Sequence, residues 1–161
     1  MMEELIFKKI KSLNEAVDWR NTLKTNKQKL VVTNGCFDIL HKGHATYLMK
    51  ARELGDKLLI AVNSDESVRA LKGNSRPVTS EMDRALILAC LEFIDAVVVF
   101  NETSCEKLLS SIKPDIYVKG GDYTEETMNH EERKALKESN SIIKFIPFVD
   151  GYSTTSILNR I

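Results

Sequence analysis

The residues with the plainest chemical use stand between Lys29 and His44, in the stretch K-L-V-V-T-N-G-C-F-D-I-L-H-K-G-H. Two imidazoles, His41 and His44, lie three residues apart with Gly43 between them. The residues that follow, to Leu54, carry a helical pattern, so both rings fall on one side of a first helical turn. A helix start offers unpaired N–H groups and partial positive charge, which suit a phosphate. A glycine there lets a ligand come close to the backbone. Zinc is the competing use, but it needs more ligands. The one other histidine is His130, and no cysteine pair is near. An isolated H-x-x-H can also be an ordinary surface or core pair; the preceding T-N-G-C-F-D weighs against that here.

Other polar clusters stand just after apolar runs or in loops. Asn63-Ser64-Asp65 follows one run and Lys119-Gly120-Gly121-Asp122 another. Glycines beside a lysine after a strand suit the approach of an anion. Ser153-Thr154-Thr155 opens the last helical stretch, where hydroxyls cap the helix or bind phosphate oxygens. Lys72 and Arg76 sit in a loop that could close over an anion. Each cluster has an ordinary alternative: a turn with a solvated lysine, a simple cap, a basic loop. They gain force together, because a parallel sheet would bring them all to one edge.

The elements that must do this positioning alternate along the chain. Strands are predicted over 30–33, 57–62, 96–100, 116–118 and 142–146. Helices are predicted over 43–54, 65–71, 81–92, 104–112, 125–139 and 156–160. Asn34-Gly35 is the expected site of a positive φ, and Gly55 the expected helix C-cap. Such alternation implies right-handed crossovers and a parallel sheet covered on both faces: an α/β, Rossmann-like open sheet. Ligands of such sheets bind at the carboxyl edge. Residues 1–28 read as a helical appendage, with a helix from Ser12 to about Lys24, and 29–161 as the main domain. There is no G-x-G-x-x-G and no G-x-x-x-x-G-K-[ST].

Composition narrows the classes. The chain has 161 residues, 43% hydrophobic and 29% charged, with a formal net charge of zero. That fits one globular domain and argues against broad attraction to nucleic acid or membrane. Three cysteines, Cys36, Cys90 and Cys105, are widely spaced and fit reduced thiols in a cytoplasmic protein. No apolar run approaches a bilayer span, and no signal-peptide core is present.

From Lys29 to Ile161 the chain resembles the nucleotidyltransferases with an H-x-G-H signature, of the cytidylyltransferase-like kind. Within them it is most similar to the adenylyltransferase part of ADP-heptose synthases. Four motifs carry the resemblance: T-N-G-C-F-D-I-L-H-K-G-H, A-V-N-S-D-E-S-V-R-A-L-K-G-N-S-R-P-V, D-I-Y-V-K-G-G-D-Y and G-Y-S-T-T-S-I-L. The resemblance implies transfer of AMP from ATP to a heptose 1-phosphate, giving ADP-heptose and pyrophosphate for cell-surface lipopolysaccharide. It implies a stand-alone cytoplasmic enzyme with 29–161 as its catalytic domain, a homodimer, and Mg²⁺ carried mainly by the phosphates, with no metal ligand assigned to the protein. His41, His44 and Lys72 would be the catalytic groups. Thr33, Asn34, Gly35 and Phe37 match the loop holding the nucleotide and its α-phosphate. Arg76 joins Lys72 in a mobile basic loop. Lys119, Gly120 and Asp122 fall near the nucleoside, Ser153, Thr154 and Thr155 match a second signature, and Gly43, Asn63 and Asp65 complete the nucleotide-binding set. Two positions depart from that second signature, Tyr152 and Leu158, where relatives carry isoleucine and arginine. The stretch 129–140 lacks the Gly-rich pattern of heptose enzymes. The alternatives are a cytidylyltransferase acting on glycerol 3-phosphate or another small phosphate, and a catalytically idle nucleotide-binding module.

Overall fold

The apolar runs become five parallel strands in a computed structural model that describes residues 1–161. They are β1 (Leu30–Gly35), β2 (Lys57–Asn63), β3 (Ala96–Phe100), β4 (Ile116–Gly120) and β5 (Ile142–Ile146). Eight helices surround them: α1 (Met2–Phe7), α2 (Leu13–Thr25), α3 (Lys42–Arg52), α4 (Asp65–Lys72), α5 (Glu81–Ala89), α6 (Glu106–Ile112), α7 (His130–Glu138) and α8 (Thr154–Leu158). The strand order is β3-β2-β1-β4-β5. This is the open parallel α/β sheet that the alternation predicts.

Strand side chains alternate between two cores. Leu30, Val32, Leu59 and Tyr117 face Ala16 and Leu23 of α2, Leu109 of α6 and Leu136 of α7. Val31, Leu58, Ile60 and Val118 face Tyr47 and Leu48 of α3 and Leu88 of α5. Burial on both sides explains why the strands read as near-continuous apolar runs. The chain moves outward from β1 to β3, then returns to lay β4 on the other side of β1. The crevice between the carboxyl ends of β1 and β4 is therefore the topological switch point, where such sheets bind ligands.

Residues 1–28 add a further helix, α1, that the periodicity did not predict. Ser12 caps α2 in a reciprocal capping box with Glu15. Backbone bonds from Val97 to Lys9 and from Lys11 to Val97 cover the outer edge of β3. Arg20, 3% exposed, donates to the Lys113 carbonyl and to Asp115 at the start of β4. The segment is thus joined to the sheet by apolar, backbone and ionic contacts together.

Several local expectations are corrected. β1 runs through Asn34-Gly35, and the positive φ falls on Phe37, at 48°. The register with β2 continues to Gly35, so strand pairing overrides the local turn preference. α3 is capped by Glu53 in a right-handed conformation, not by Gly55. Gly55 is small for another reason: a Cβ there would lie 2.8 Å from Val31 Cγ2. α7 begins at His130 rather than 125, because Asn129 accepts from the N–H groups of Glu131 and Glu132. α8 begins two residues before the predicted helix, because Ser153 accepts from Ser156 N–H. α5 ends at Ala89, short of 92.

Candidate active site

Two adjoining cavities open at the switch point. The larger, about 850 Å³, is lined by His41, Gly43 and His44, by Lys72 and Arg76, and by Ser153, Thr154 and Thr155. The smaller, about 310 Å³, is lined by Asn34, Gly35, Phe37, Lys119 and Gly120 among others. His44, Lys72, Phe148 and Thr154 line both. Groups scattered over more than 120 residues of sequence therefore meet on one rim, as a parallel sheet requires.

The histidines are set by the turn that leaves β1. His41 is the extended N-cap of α3, and the two rings stack with centroids 3.9 Å apart and planes 25° from parallel. Phe37 meets the edge of His44, and Tyr152 lies over His41 at 6.4 Å. Gly43 makes room for this stack, since a Cβ there would lie 2.9 Å from the His41 ring. The Nδ1 atoms of both histidines are buried and have no hydrogen-bond partner. Atoms so enclosed are closed to a ligand, which leaves Nε2 of each ring, not enclosed in this way, as the nitrogen that can meet one.

Burial holds both imidazoles neutral. His44 is pushed down from the usual 6.5 to about 4 by desolvation first, then by the neighbouring His41 and Lys72 charges. Burial also lowers His41. A neutral imidazole offers one N–H donor and one acceptor. The unfolded chain takes up the His44 proton first as pH falls, so this group leaves stability unchanged above 6.5 and lowers it between 6.5 and about 4. The expected result of following the His44 ring proton by NMR is a midpoint near 4 in the free protein. Bound pyrophosphate, a polyanion, should move it up. A free-protein midpoint near 6.5 would contradict this environment.

Three cationic side chains line the cavities, and the structure separates them. Arg76 Nε is 2.6 Å from Asp38 Oδ2, and Asp38 also accepts from the Val78 and Thr79 N–H groups. Burial alone would raise the Asp38 carboxyl; these donors outweigh it and hold it low. Lys119 pairs with Glu132 at 3.3 Å. Lys72 alone of the three has no ion-pair partner, and it stands where the cavities join. Arg76, expected to bind nucleotide, is first a tether for the 73–79 loop.

Four residues of the expected set line neither cavity. Thr33 is buried, with its hydroxyl 2.6 Å from that of Tyr47, and Tyr47 donates on to the Val118 carbonyl. Asn63 donates to Ser67 at the start of α4. Asp65 accepts from Arg84. Asp122 is exposed beyond the β4 end. The first three brace the strand ends that carry the site. Asn34 lines the smaller cavity and accepts from the Tyr117 hydroxyl.

The sequence reading missed several residues. Cys36, Asp38, Tyr47, Tyr123 and Phe148 line the smaller cavity, and Ser75, Val78 and Phe148 the larger. Phe148 lies close over Gly120, where a Cβ would be 2.6 Å from its ring. No spacing signal marks Phe148. Arg84 does have a signal: a lone cation among Ala85, Leu88 and Ala89 on the buried face of α5. It is 1% exposed and donates to the carbonyls of Cys36, Asn63 and Thr79 and to Asp65. No group of three or more His, Cys, Asp or Glu side chains is placed to hold a metal ion.

The comparisons with known proteins bear on the family and the fold. A family model described as cytidylyltransferase-like matches residues 32–160. The protein named bifunctional protein HldE of Helicobacter pylori strain J99 is 51% identical over 140 residues, 87% of this chain and 29% of that protein. Its namesakes from Syntrophotalea carbinolica and Campylobacter fetus are 51% and 48% identical, over 88% and 96% of this chain. The chain spans about three-tenths of the length of these curated relatives. Among solved structures, the lipopolysaccharide core biosynthesis protein of Thermoplasma volcanium matches with a TM-score of 0.62 and 27% identity, covering 78% of this chain and 99% of that one. A pantoate-β-alanine ligase from Francisella tularensis has the same TM-score at 17% identity, covering 94% of this chain and 72% of that one, and shares the fold alone.

Proposed function

The chain belongs to the cytidylyltransferase-like family, and from that premise we propose that it transfers AMP from ATP to a heptose 1-phosphate, releasing pyrophosphate. One observation carries the reading: a stacked neutral histidine pair lines the cavity wall beside an unpaired lysine where two cavities join. Hydrogen-bond donors and one free cation at a junction suit a group carrying developing negative charge. The heptose assignment is supported by the four motifs and by relatives named HldE at about half identity.

In the proposed reaction a sugar-phosphate oxygen attacks the α-phosphorus of ATP in line. A P–O bond forms there, the α–β bridging P–O bond breaks, and its electron pair leaves with pyrophosphate. The attacking phosphate is already an anion, so no proton need be removed. The work left to the protein is positioning and charge stabilisation. His41 and His44 donate to phosphate oxygens, Lys72 offsets their charge, and Ser153, Thr154 and Thr155 hold the tail. Mg²⁺ would come with ATP and offset phosphate charge, and no residue of the chain is assigned to hold it. A cytoplasmic setting belongs to the same proposal, supported by three free cysteines; no helix is long and apolar enough to cross a membrane. So does a homodimer, supported by exposed Leu5, Met82 and Ile87 on the contacting helices α1 and α5.

The test is pyrophosphate release with ATP or CTP against heptose 1-phosphate or glycerol 3-phosphate. Turnover with ATP and heptose 1-phosphate is expected to exceed every other pairing. Faster turnover with CTP and glycerol 3-phosphate would replace this reading, and no turnover with any pairing would leave a binding module.

A further inference from the structure

Glu132 is a buried carboxylate that the proposed reaction does not use. It lies on α7 beside Ala135 and Leu136, which pack into the core, and is 3% exposed. A charge so placed is costly unless it is paired and hydrogen-bonded. Both oxygens are satisfied: Oε1 accepts from Cys105 N–H at 2.9 Å and Oε2 from Lys119 Nζ at 3.3 Å. Lys119 leaves the end of β4 with its side chain 18% exposed, and its ammonium also lies 5.0 Å from the Tyr123 ring centre. Lys119 and Tyr123 line the smaller cavity; Glu132 does not. The carboxylate therefore grips the lysine from behind the cavity wall.

The contrast with Lys72 gives this grip its meaning. Lys72 is unpaired and lies beside the histidines, whereas the Lys119 charge is already matched. A phosphate gains little from a cation whose field a carboxylate cancels. A sugar hydroxyl or a base carbonyl needs only an N–H donor held in a fixed direction. Resting on the nucleotidyl-transfer reading of the site, we propose that Glu132 is a positioning residue. It fixes Lys119 as a charge-neutralised donor to the nucleoside half of ATP.

Glu132→Gln isolates the point, since the amide oxygen can still accept from Cys105 while the amide nitrogen cannot accept from Lys119. The full chain is titrated calorimetrically with Mg-ATP and with inorganic pyrophosphate. ATP affinity is expected to fall about tenfold, the size of one lost charged hydrogen bond, with pyrophosphate affinity held within about twofold. In turnover the same change appears as a raised KM for ATP with kcat nearly constant. The double variant Glu132→Gln with Lys119→Met should bind ATP like Glu132→Gln alone. Should Glu132→Gln fail to fold, Lys119→Met alone reports the same split between ATP and pyrophosphate. Unchanged ATP affinity overturns the inference. So does tighter binding of both ligands by Glu132→Gln, the mark of an uncovered cation serving phosphates, or weaker pyrophosphate binding by Lys119→Met. Wild-type protein that binds neither ligand overturns the reading of the site itself. Wild-type protein that binds both, beside variants with unaltered ATP affinity, overturns this inference alone.

Discussion

His44→Ala is expected to lower kcat by about 10²–10³ with the fold intact, the usual cost of losing one preorganised donor to a developing oxyanion. The reason lies in where the ring stands. His44 lines both cavities, stacks on His41 at 3.9 Å and shares the junction with the unpaired Lys72. Its Nδ1 is enclosed by the protein, which leaves Nε2 as the nitrogen a ligand can reach. Burial keeps the ring neutral, and its environment is set before substrate arrives. The loss should fall on kcat more than on the KM for ATP, because the donor matters most when charge builds on the α-phosphoryl oxygens and the leaving pyrophosphate. Alanine removes an imidazole that is only partly buried, so thermal unfolding should shift little. Steady-state pyrophosphate release decides the matter. A variant that folds normally and turns over within threefold of the wild type removes His44 from the mechanism.

The largest expected effect on stability belongs to Arg84→Met. This guanidinium is 1% exposed and joins four parts of the chain: the turn after β1 through the Cys36 carbonyl, the end of β2 through Asn63, the loop before α5 through Thr79, and α4 through Asp65. Methionine restores apolar volume but no donors. The carbonyls of Cys36, Asn63 and Thr79 lose this donor, and Asp65 loses its cation. Breaking such a pair from one side costs about 3–5 kcal/mol. Asp65 is 27% exposed and recovers some hydration, which places the expected loss toward the lower end of that range. Against a total stability of about 5–15 kcal/mol this is severe. Denaturant unfolding should show a lower midpoint with an unchanged slope. Arg84→Lys keeps the charge but not the planar fork and should fall between the two. A loss below about 1 kcal/mol for Arg84→Met would show that the network is dispensable.

Much of the fold was legible because its signals are local. Leu30–Val32 and Leu58–Val62 are continuous apolar runs, as two-sided burial demands, and Ser12, Ser64 and Ser80 stand where helices begin. The misplaced boundaries share a cause. Asn34-Gly35 favours a turn by itself, but pairing with β2 keeps it extended and moves the turn to Phe37. The helix predicted from 125 loses its first turn to the Asn129 cap, a hydrogen bond that periodicity does not register.

By itself the amino-acid sequence determined the strand–turn–helix passage that presents His41 and His44, and the alternation that sends Lys72, Lys119 and Ser153 to the same edge. Both follow from spacing along a regular backbone. Only the tertiary structure decided which of those charges are free. Arg76 meets Asp38 across 38 residues, Lys119 meets Glu132 across 13, Arg84 meets Asp65 across 19, and Lys72 meets no carboxylate. A cation's usefulness to a phosphate depends on whether its field is already cancelled. That cancellation falls off over a few ångströms in three dimensions, so it is set by how strands and helices dock, not by the order in which their residues occur.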